Sequence, residues 1–407
     1  MAGRGFAYRE RLSTENDMER VPQSPRPDWP SRLESIGFHF HSLDENDKPQ
    51  PVDQQTFHYW REDVAYRFSS EEVERIYAAA LELNKICMEA VDHVIEKDLF
   101  SRLAISGDFA DLIRASWNRD DPTLYGRFDL TIGSDGHPKM YEFNADTPTS
   151  IIEASLAQWF WKEDAQADAD QFNSLHESFI ARWKWIRQHY SAVKTLHFGC
   201  MFDSQEDVCN VEYLMDTAVQ AGWAVKLINM KDVGVDREGR FVDLEGMHID
   251  LMFKLFPWEW MVRSAYGPEV LMDGCRWVEP PWKAVLSNKG ILPILWGMFP
   301  GHPNLLEASF DPDVFSGRPH AKKPLLSREG ANVTLFTPDG RFDNGGRYGS
   351  EGFVYQAYAP ASRFGDRFVT LGAWIVDDVP SGMCVREEKG PIAKNTSYFV
   401  PHYFSRG

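Results

Sequence analysis

Residues 127–144, RFDLTIGSDGHPKMYEFN, constrain the fold most: two stretches of alternating polar and apolar residues flank a turn rich in glycine, aspartate and proline. Side chains alternate faces along a strand. Arg127 and Asp129 therefore share one face, with Phe128, Leu130 and Ile132 on the other. Glu142 and Asn144 share a face, and Tyr141 and Phe143 point the opposite way. A two-residue turn at Asp135-Gly136 sets Asp129 opposite Glu142 and Arg127 opposite Asn144. Four polar residues then form one patch over an apolar underside.

That register has a cost. Two carboxylates ~4 Å apart repel by about 4 kcal/mol at an effective dielectric near 20, and like charges facing each other destabilise a sheet. A proton, the neighbouring Arg127 or a bound cation must offset this. Two carboxylates and an amide oxygen are the hard donors that Mg²⁺ takes alongside phosphates and water; taken alone, the hairpin fits a solvated strand face with an Arg127 ion pair better. Directly after it, Ser150-Ile151-Ile152-Glu153 matches the S-x-x-E capping box. The helix start, with Thr147, Thr149 and Ser150 beside it, is expected to offer N–H and hydroxyl donors to an anion such as a substrate carboxylate.

Elsewhere, residues 69–96 carry apolar residues at spacings of three and four, with serines and glutamates at the start, and read as an N-capped helix. Residues 194–202, 206–222 and 223–230 read as strand, helix and strand, and the region 195–255 as a Rossmann-like open sheet. No G-x-G-x-x-G follows its first strand, so no dinucleotide site is inferred. From Pro280 onward a helix-rich stretch gives way to strands, turns and a glycine loop, an α+β pattern. Residues 1–55 are expected to be partly irregular. The expected division is 1–110, an irregular and helical region; 111–190, the hairpin and substrate helix; 191–280, the Rossmann-like unit; and 281–407, a nucleotide-binding unit.

The formal charge of −18 on 407 residues repels phosphate backbones and argues against nucleic acid as a partner. The five cysteines form no C-x-x-C pair and fit free thiols in a reducing compartment. No run reaches the ~18–20 apolar residues of a membrane helix, and the first twenty residues lack the apolar core of a signal peptide. A cytoplasmic protein with no membrane partner is the expectation.

No P-loop motif occurs. Lys289 in SNKGILP and Lys323 in AKKPLLSREGANV are the candidates for triphosphate binding, and the Ser327–Gly330 loop could cover phosphates with its backbone. Each lysine, like Arg386, is ordinary in isolation. Residues 253–261, FKLFPWEWM, read as core aromatics, with Lys254 unusual among them. Asp203, Glu206 and Asp207 stand where a strand gives way to a helix, a position that favours acids in any protein and that also suits an amine cation.

Together, RFD, YEFNADTPTS, NKGILPILW, KKPLLSREGANV, EGFVYQAY, GAWIVDD and VREEKGPI resemble, in this order, the synthetase domain of glutathionylspermidine synthase and its shorter acid–amine ligase relatives. The resemblance runs from about Arg127 to the C-terminus. It implies an ATP-grasp fold in permuted chain order with a Rossmann-like pre-ATP-grasp domain, and an ATP- and Mg²⁺-dependent ligase that activates a peptide-like acid as an acyl phosphate for attack by an amine, in the family a polyamine. It further implies Asp129, Glu142 and Asn144 as metal ligands and Arg127 and Arg386 at the transferred phosphate and substrate carboxylate. Thr147 and Thr149 fall at acid-substrate positions, with Ser150 beside them, and Lys289 and Lys323 at the ATP phosphates. Arg328 and Gly330 sit on the flap, Gln356 to Tyr358 at the adenine hinge, and Glu206 and Asp207 at the polyamine. The threonines replace serines of the family pattern. The ~110 leading residues are too few for the amidase of the bifunctional enzyme, so none is expected. The rival readings are a simple phosphotransferase and a silent nucleotide- or partner-binding module.

Overall fold

The structure, a computed structural model, describes residues 18–42, 59–394 and 397–405. Much of the 1–55 segment expected to be irregular, residues 1–17 and 43–55, lies outside these. Its described part holds the short strand Glu19–Pro22 and the helix Trp29–Ser35.

The helix Ser70–Glu96 begins where its pattern starts. Ser69 accepts from the Glu72 N–H and the Glu72 carboxylate accepts from the Ser69 N–H, a complete capping box worth about 1 kcal/mol. Its apolar stripe, including Ile76, Leu83, Cys87 and Val91, is buried in one large core. Phe128, Leu130, Met140 and Phe143 of the hairpin and Leu371 and Val385 of the C-terminal strands belong to the same core.

The hairpin is the edge of a six-stranded antiparallel sheet. Pro138–Asn144 pairs with Tyr125–Ile132, which pairs with Arg367–Val376; Val379–Glu388 and Tyr398–Val400 follow, and Ser362–Phe364 lies beside Arg367–Val376. The expected pairings are present: Asp129 faces Glu142 and Arg127 faces Asn144. The turn differs. Gly136 at φ +81° closes the loop, with Gly133 donating to the His137 carbonyl, so Asp135-Gly136 is not a two-residue turn. A bulge restores the register: Asp129 pairs with Glu142 but Leu130 with Met140. The extra residue is Tyr141. Expected on the underside with Phe143, it instead lines a cavity, and its hydroxyl donates to the Ala359 carbonyl.

The Rossmann-like unit is a four-stranded parallel sheet in the order Arg276–Val278, Leu251–Lys254, Thr195–Cys200, Ala224–Asn229, with the helix Gln205–Gln220 crossing between the last two. A five-stranded antiparallel sheet holds His320–Pro324 between Phe353–Ala357 and Thr334–Thr337. Among the described residues no helix is long and apolar enough to cross a membrane.

Candidate active site

The polar face of the hairpin lies where two cavities meet. Both are of small-molecule size, about 710 and 960 Å³ of empty space with their mouths included. Asp129, Glu142, Gly330 and Ala393 line both of them.

Asp129 sits between two guanidiniums. Arg127 Nε lies 2.7 Å from one carboxylate oxygen and Arg386 Nη2 2.5 Å from the other. Burial alone would raise the Asp129 carboxyl; the two arginines hold it down to about 2. Gly372, opposite Asp129 in the next strand, leaves the space for the Arg127 stem: a Cβ there would lie 2.9 Å from Arg127 Cδ. Glu142 is likewise lowered against its burial, chiefly by Lys289, whose Nζ is 3.0 Å away, and by Lys323. Four cations therefore offset the facing carboxylates, and the repulsion read from the sequence needs no bound metal to relieve it.

The lysines are fixed by backbone oxygens. Lys289 donates to the Ser327 carbonyl at 2.6 Å, and Lys323 to the bulged Tyr141 carbonyl and to Gln356 Oε1, both at 2.8 Å. Burial brings the Lys323 ammonium down to about 8 against the pull of Glu142. Gln356 is buried, and its amide also donates to the Met140 carbonyl. Tyr358, Val333, Leu335 and Ile392 make the rest of this first cavity apolar.

Asn144 Nδ2 is 3.3 Å from Asp129 and 3.5 Å from Glu142. Two ionised carboxylates and an amide thus converge within reach of one ion. The two carboxylates are hard oxygen donors that fit a divalent cation completing its shell with phosphate and water; the Asn144 amide presents its nitrogen to them here and would have to turn over to add its oxygen.

The second cavity is the polar one, lined by Arg127, Arg386, Arg328, Thr147, Thr149, Ser150 and Asp207 among others. Of the anion site expected at the start of the 151 helix, the hydroxyl residues line this cavity but the backbone donors are not available. Asn210 Oδ1 accepts from the Ile151 N–H at 2.8 Å and lies 3.4 Å from that of Ile152, so these donors are already engaged. The Ser150/Glu153 capping box is absent. Ser150 has a positive φ of 70°, and Glu153 is fully buried and accepts from the Tyr59 hydroxyl at 2.6 Å. A π-helical turn over Glu153–Ala157 replaces the expected regular start. Burial, and then Glu206, push the Glu153 carboxyl up to about 8; the same causes push Asp207 up to about 7. Asp207 faces the cavity, whereas Glu206 acts on both carboxyls from the side. Asp203 is exposed and paired with Lys231.

Several site residues were missed. Lys254 and Asp146 form a fully buried ion pair at 2.6 Å, and Asp146 also accepts from the Trp258 N–H. This pair ties the 145–150 loop to the 253–261 segment. That segment is more than core: Phe256, Pro257 and Trp260 line the second cavity, and Glu259 binds Arg328. The lone lysine among aromatics was the available signal.

A family profile, glutathionylspermidine synthase pre-ATP-grasp, matches residues 20–405. A Haemophilus influenzae protein assigned as an acid–amine ligase is 37% identical over 95% of this chain and 100% of its own length. Trypanothione synthetase of Crithidia fasciculata is 27% identical over 80% of this chain, and the bifunctional glutathionylspermidine synthetase/amidase of Escherichia coli 25% over 91%. This chain spans 54% and 65% of those two longer proteins. The apo structure of a glutathione synthetase-like effector from Globodera pallida superposes with a TM-score of 0.55 at 10% identity, over 94% of this chain and 100% of that one, a likeness of fold. The chain belongs to the glutathionylspermidine synthase family of ATP-grasp carbon–nitrogen ligases.

Proposed function

We propose that this ligase joins a small peptide-like acid to an amine of the polyamine class through an acyl phosphate formed from ATP. The observation that carries the reading is the shared wall: an apolar cavity and an arginine-rich cavity meet at Asp129 and Glu142.

The apolar cavity suits adenine, packed against Tyr358, Val333 and Leu335 beside the backbone of Gln356 to Tyr358. Lys323, which lines the apolar cavity, and Lys289, which pairs with Glu142 of the shared wall, would meet the phosphate oxygens. Asp129, Glu142 and Asn144 would hold Mg²⁺, which supplies charge neutralisation at the phosphates. In the second cavity Arg127 and Arg386 bind the acid's carboxylate, and Thr147, Thr149 and Ser150 offer it hydroxyls. The carboxylate oxygen attacks the γ-phosphorus, the bond to ADP breaks, and the same arginines steady the charge that moves between them. The amine nitrogen then attacks the acyl carbon, the acyl–oxygen bond breaks, and the phosphate leaves with the proton that the nitrogen gives up. Asp207, with Glu206 behind it, holds a second ammonium group of the amine and so orients the free one. Arg328 and Gly330, on the loop over both cavities, exclude water from the labile intermediate.

The test is ADP release measured over a matrix of acids and amines with mass detection of product. Turnover that needs both substrates and yields an amide is the expected result. ADP release independent of any amine would replace the ligase by a phosphotransferase, and ATP binding without turnover would leave a nucleotide-binding module.

A further inference from the structure

The 325–333 loop reaches across the second cavity and is fastened on its far side. Arg328 Nη2 and Nε lie 3.0 and 3.1 Å from Glu259 Oε1, and Nη2 lies 3.3 Å from Oε2. Its remaining nitrogen donates to Thr147 Oγ1 at 2.5 Å. Glu259 is firmly placed. It follows the buried Trp258, whose N–H is held by Asp146, which is itself paired with the buried Lys254. A planar guanidinium bound through two edges has a defined direction, which a lysine or a single hydrogen bond would not give.

We propose that Glu259 is the positioning residue of the loop: its carboxylate holds Arg328 over the acid-binding end of the cavity and keeps the loop shut. The inference rests on the proposed ligase reading for its catalytic consequence and on geometry alone for the latch. Four observations converge on it. Arg328 is the loop's side chain that reaches the opposite wall, and its partners come from two other segments, at Thr147 and Glu259. Gly330, two residues on, holds a φ of +67°, and a Cβ there would lie 2.4 Å from the Ala393 carbonyl, so the loop closes against the 391–394 segment without slack. Glu259 and Arg328 are largely shielded, their side chains 11% and 24% exposed. Finally, Trp260, next in sequence to Glu259, lines the same cavity with Phe256. One short turn thus holds the loop and walls the space into which the amine would enter. Loss of the latch lets water reach the acyl phosphate, whose acyl–oxygen bond it splits to return acid and phosphate; ATP is then spent without an amide.

Two readouts test this. The first needs no substrate: an arginine-specific protease cuts the Arg328–Glu329 bond only when Arg328 leaves Glu259. Loss of the charge-assisted pair in Glu259→Gln is expected to speed this cut by about tenfold, with cleavage elsewhere and the melting temperature unchanged and with Glu259→Asp restoring protection. An unchanged rate at this bond overturns the latch. Should Glu259→Gln fail to fold, Thr147→Val, which leaves the Glu259 pair and the 4.0 Å approach of Asp146 in place, is expected to speed the same cut by about threefold at most; an acceleration of about tenfold or more there would put the latch at Thr147 and overturn the role of Glu259. The second readout uses an acid–amine pair that the wild-type protein turns over. Glu259→Gln is expected to release more than one ADP per amide while the wild type stays near one; one-to-one coupling in the variant overturns the catalytic role. A wild type without any amide product counts against the ligase reading and leaves the protease result to decide the latch.

Discussion

On the sheet side of the site, Asp129 lies between Arg127 and Arg386 and its carboxyl is held down to about 2; on the helix side, Asp207 has Glu206 as its neighbour and its carboxyl rises to about 7. Burial acts on both in the same direction. The partner decides the outcome. The sheet side is a set of charges already matched to one another, ready to exchange one anion for another. The helix side holds carboxyls that are partly protonated until a cation arrives. In the proposed reaction one wall would serve the phosphate and carboxylate and the other the amine.

The harshest way to break this comparison is Asp129→Ala. Were facing carboxylates the dominant feature, removing one would stabilise the protein. The geometry says the reverse: Arg127 and Arg386 would be left close together with no anion between them, and breaking such a buried pair costs about 3–5 kcal/mol. Turnover is expected to be abolished and the urea midpoint to fall. A midpoint that holds or rises in metal-free buffer would show that the arginines are not what keeps Asp129 ionised.

The two walls also differed in how far the sequence disclosed them. Alternation along 127–144 predicted the Asp129/Glu142 and Arg127/Asn144 pairings, because a strand's period leaves two choices of face and the buried side selects one. Even there the route differed. A longer turn and the bulge at Tyr141 offset each other, and neither has a periodic signature. Lys289 and Lys323 could be named, but not their contacts with Ser327 and Tyr141, which depend on backbone carbonyls of distant segments. On the helix side local rules misled. Ser150 and Glu153 have the spacing of a capping box, yet Asn210, 59 residues away from Ile151, takes the helix N–H groups and Glu153 turns into the core. Nothing local reports such a replacement, nor the choice of Lys254 and Glu259 as partners for Asp146 and Arg328. The Ser69/Glu72 capping box, with no competing partner, formed as read.

Asp207→Asn sharpens the comparison with a smaller effect. The Asp207 carboxyl, raised to about 7 by burial and Glu206, is mostly neutral below that pH and charged above it. Binding of a cationic amine should therefore tighten as pH rises from 6 to 8. In the wild type the KM for the amine is expected to fall about tenfold across this window, with the KM for ATP nearly flat. The asparagine variant should lose the pH dependence and keep the weaker binding throughout. A wild-type amine KM that ignores pH would move the ammonium site away from Asp207.

The last test concerns stability alone. Glu153 is fully buried, with Tyr59 donating to one oxygen and Glu206 nearby, and its carboxyl is raised to about 8. An acid raised in the folded state binds its proton more tightly there than in the unfolded chain, where it titrates near the usual ~4.3. Between these values the folded protein carries the extra proton, so this group's contribution to stability is full below about 4.3 and declines as pH rises toward 8. Glu153→Gln has nearly the same shape and cannot ionise. Its stability curve should match the wild type near pH 4 and exceed it increasingly toward pH 8, as denaturant midpoints measured across that range would show. Curves that stay parallel would mean that Glu153 is ionised in the folded protein, with a cation beside it, and the contrast between the two walls would then end at Asp207.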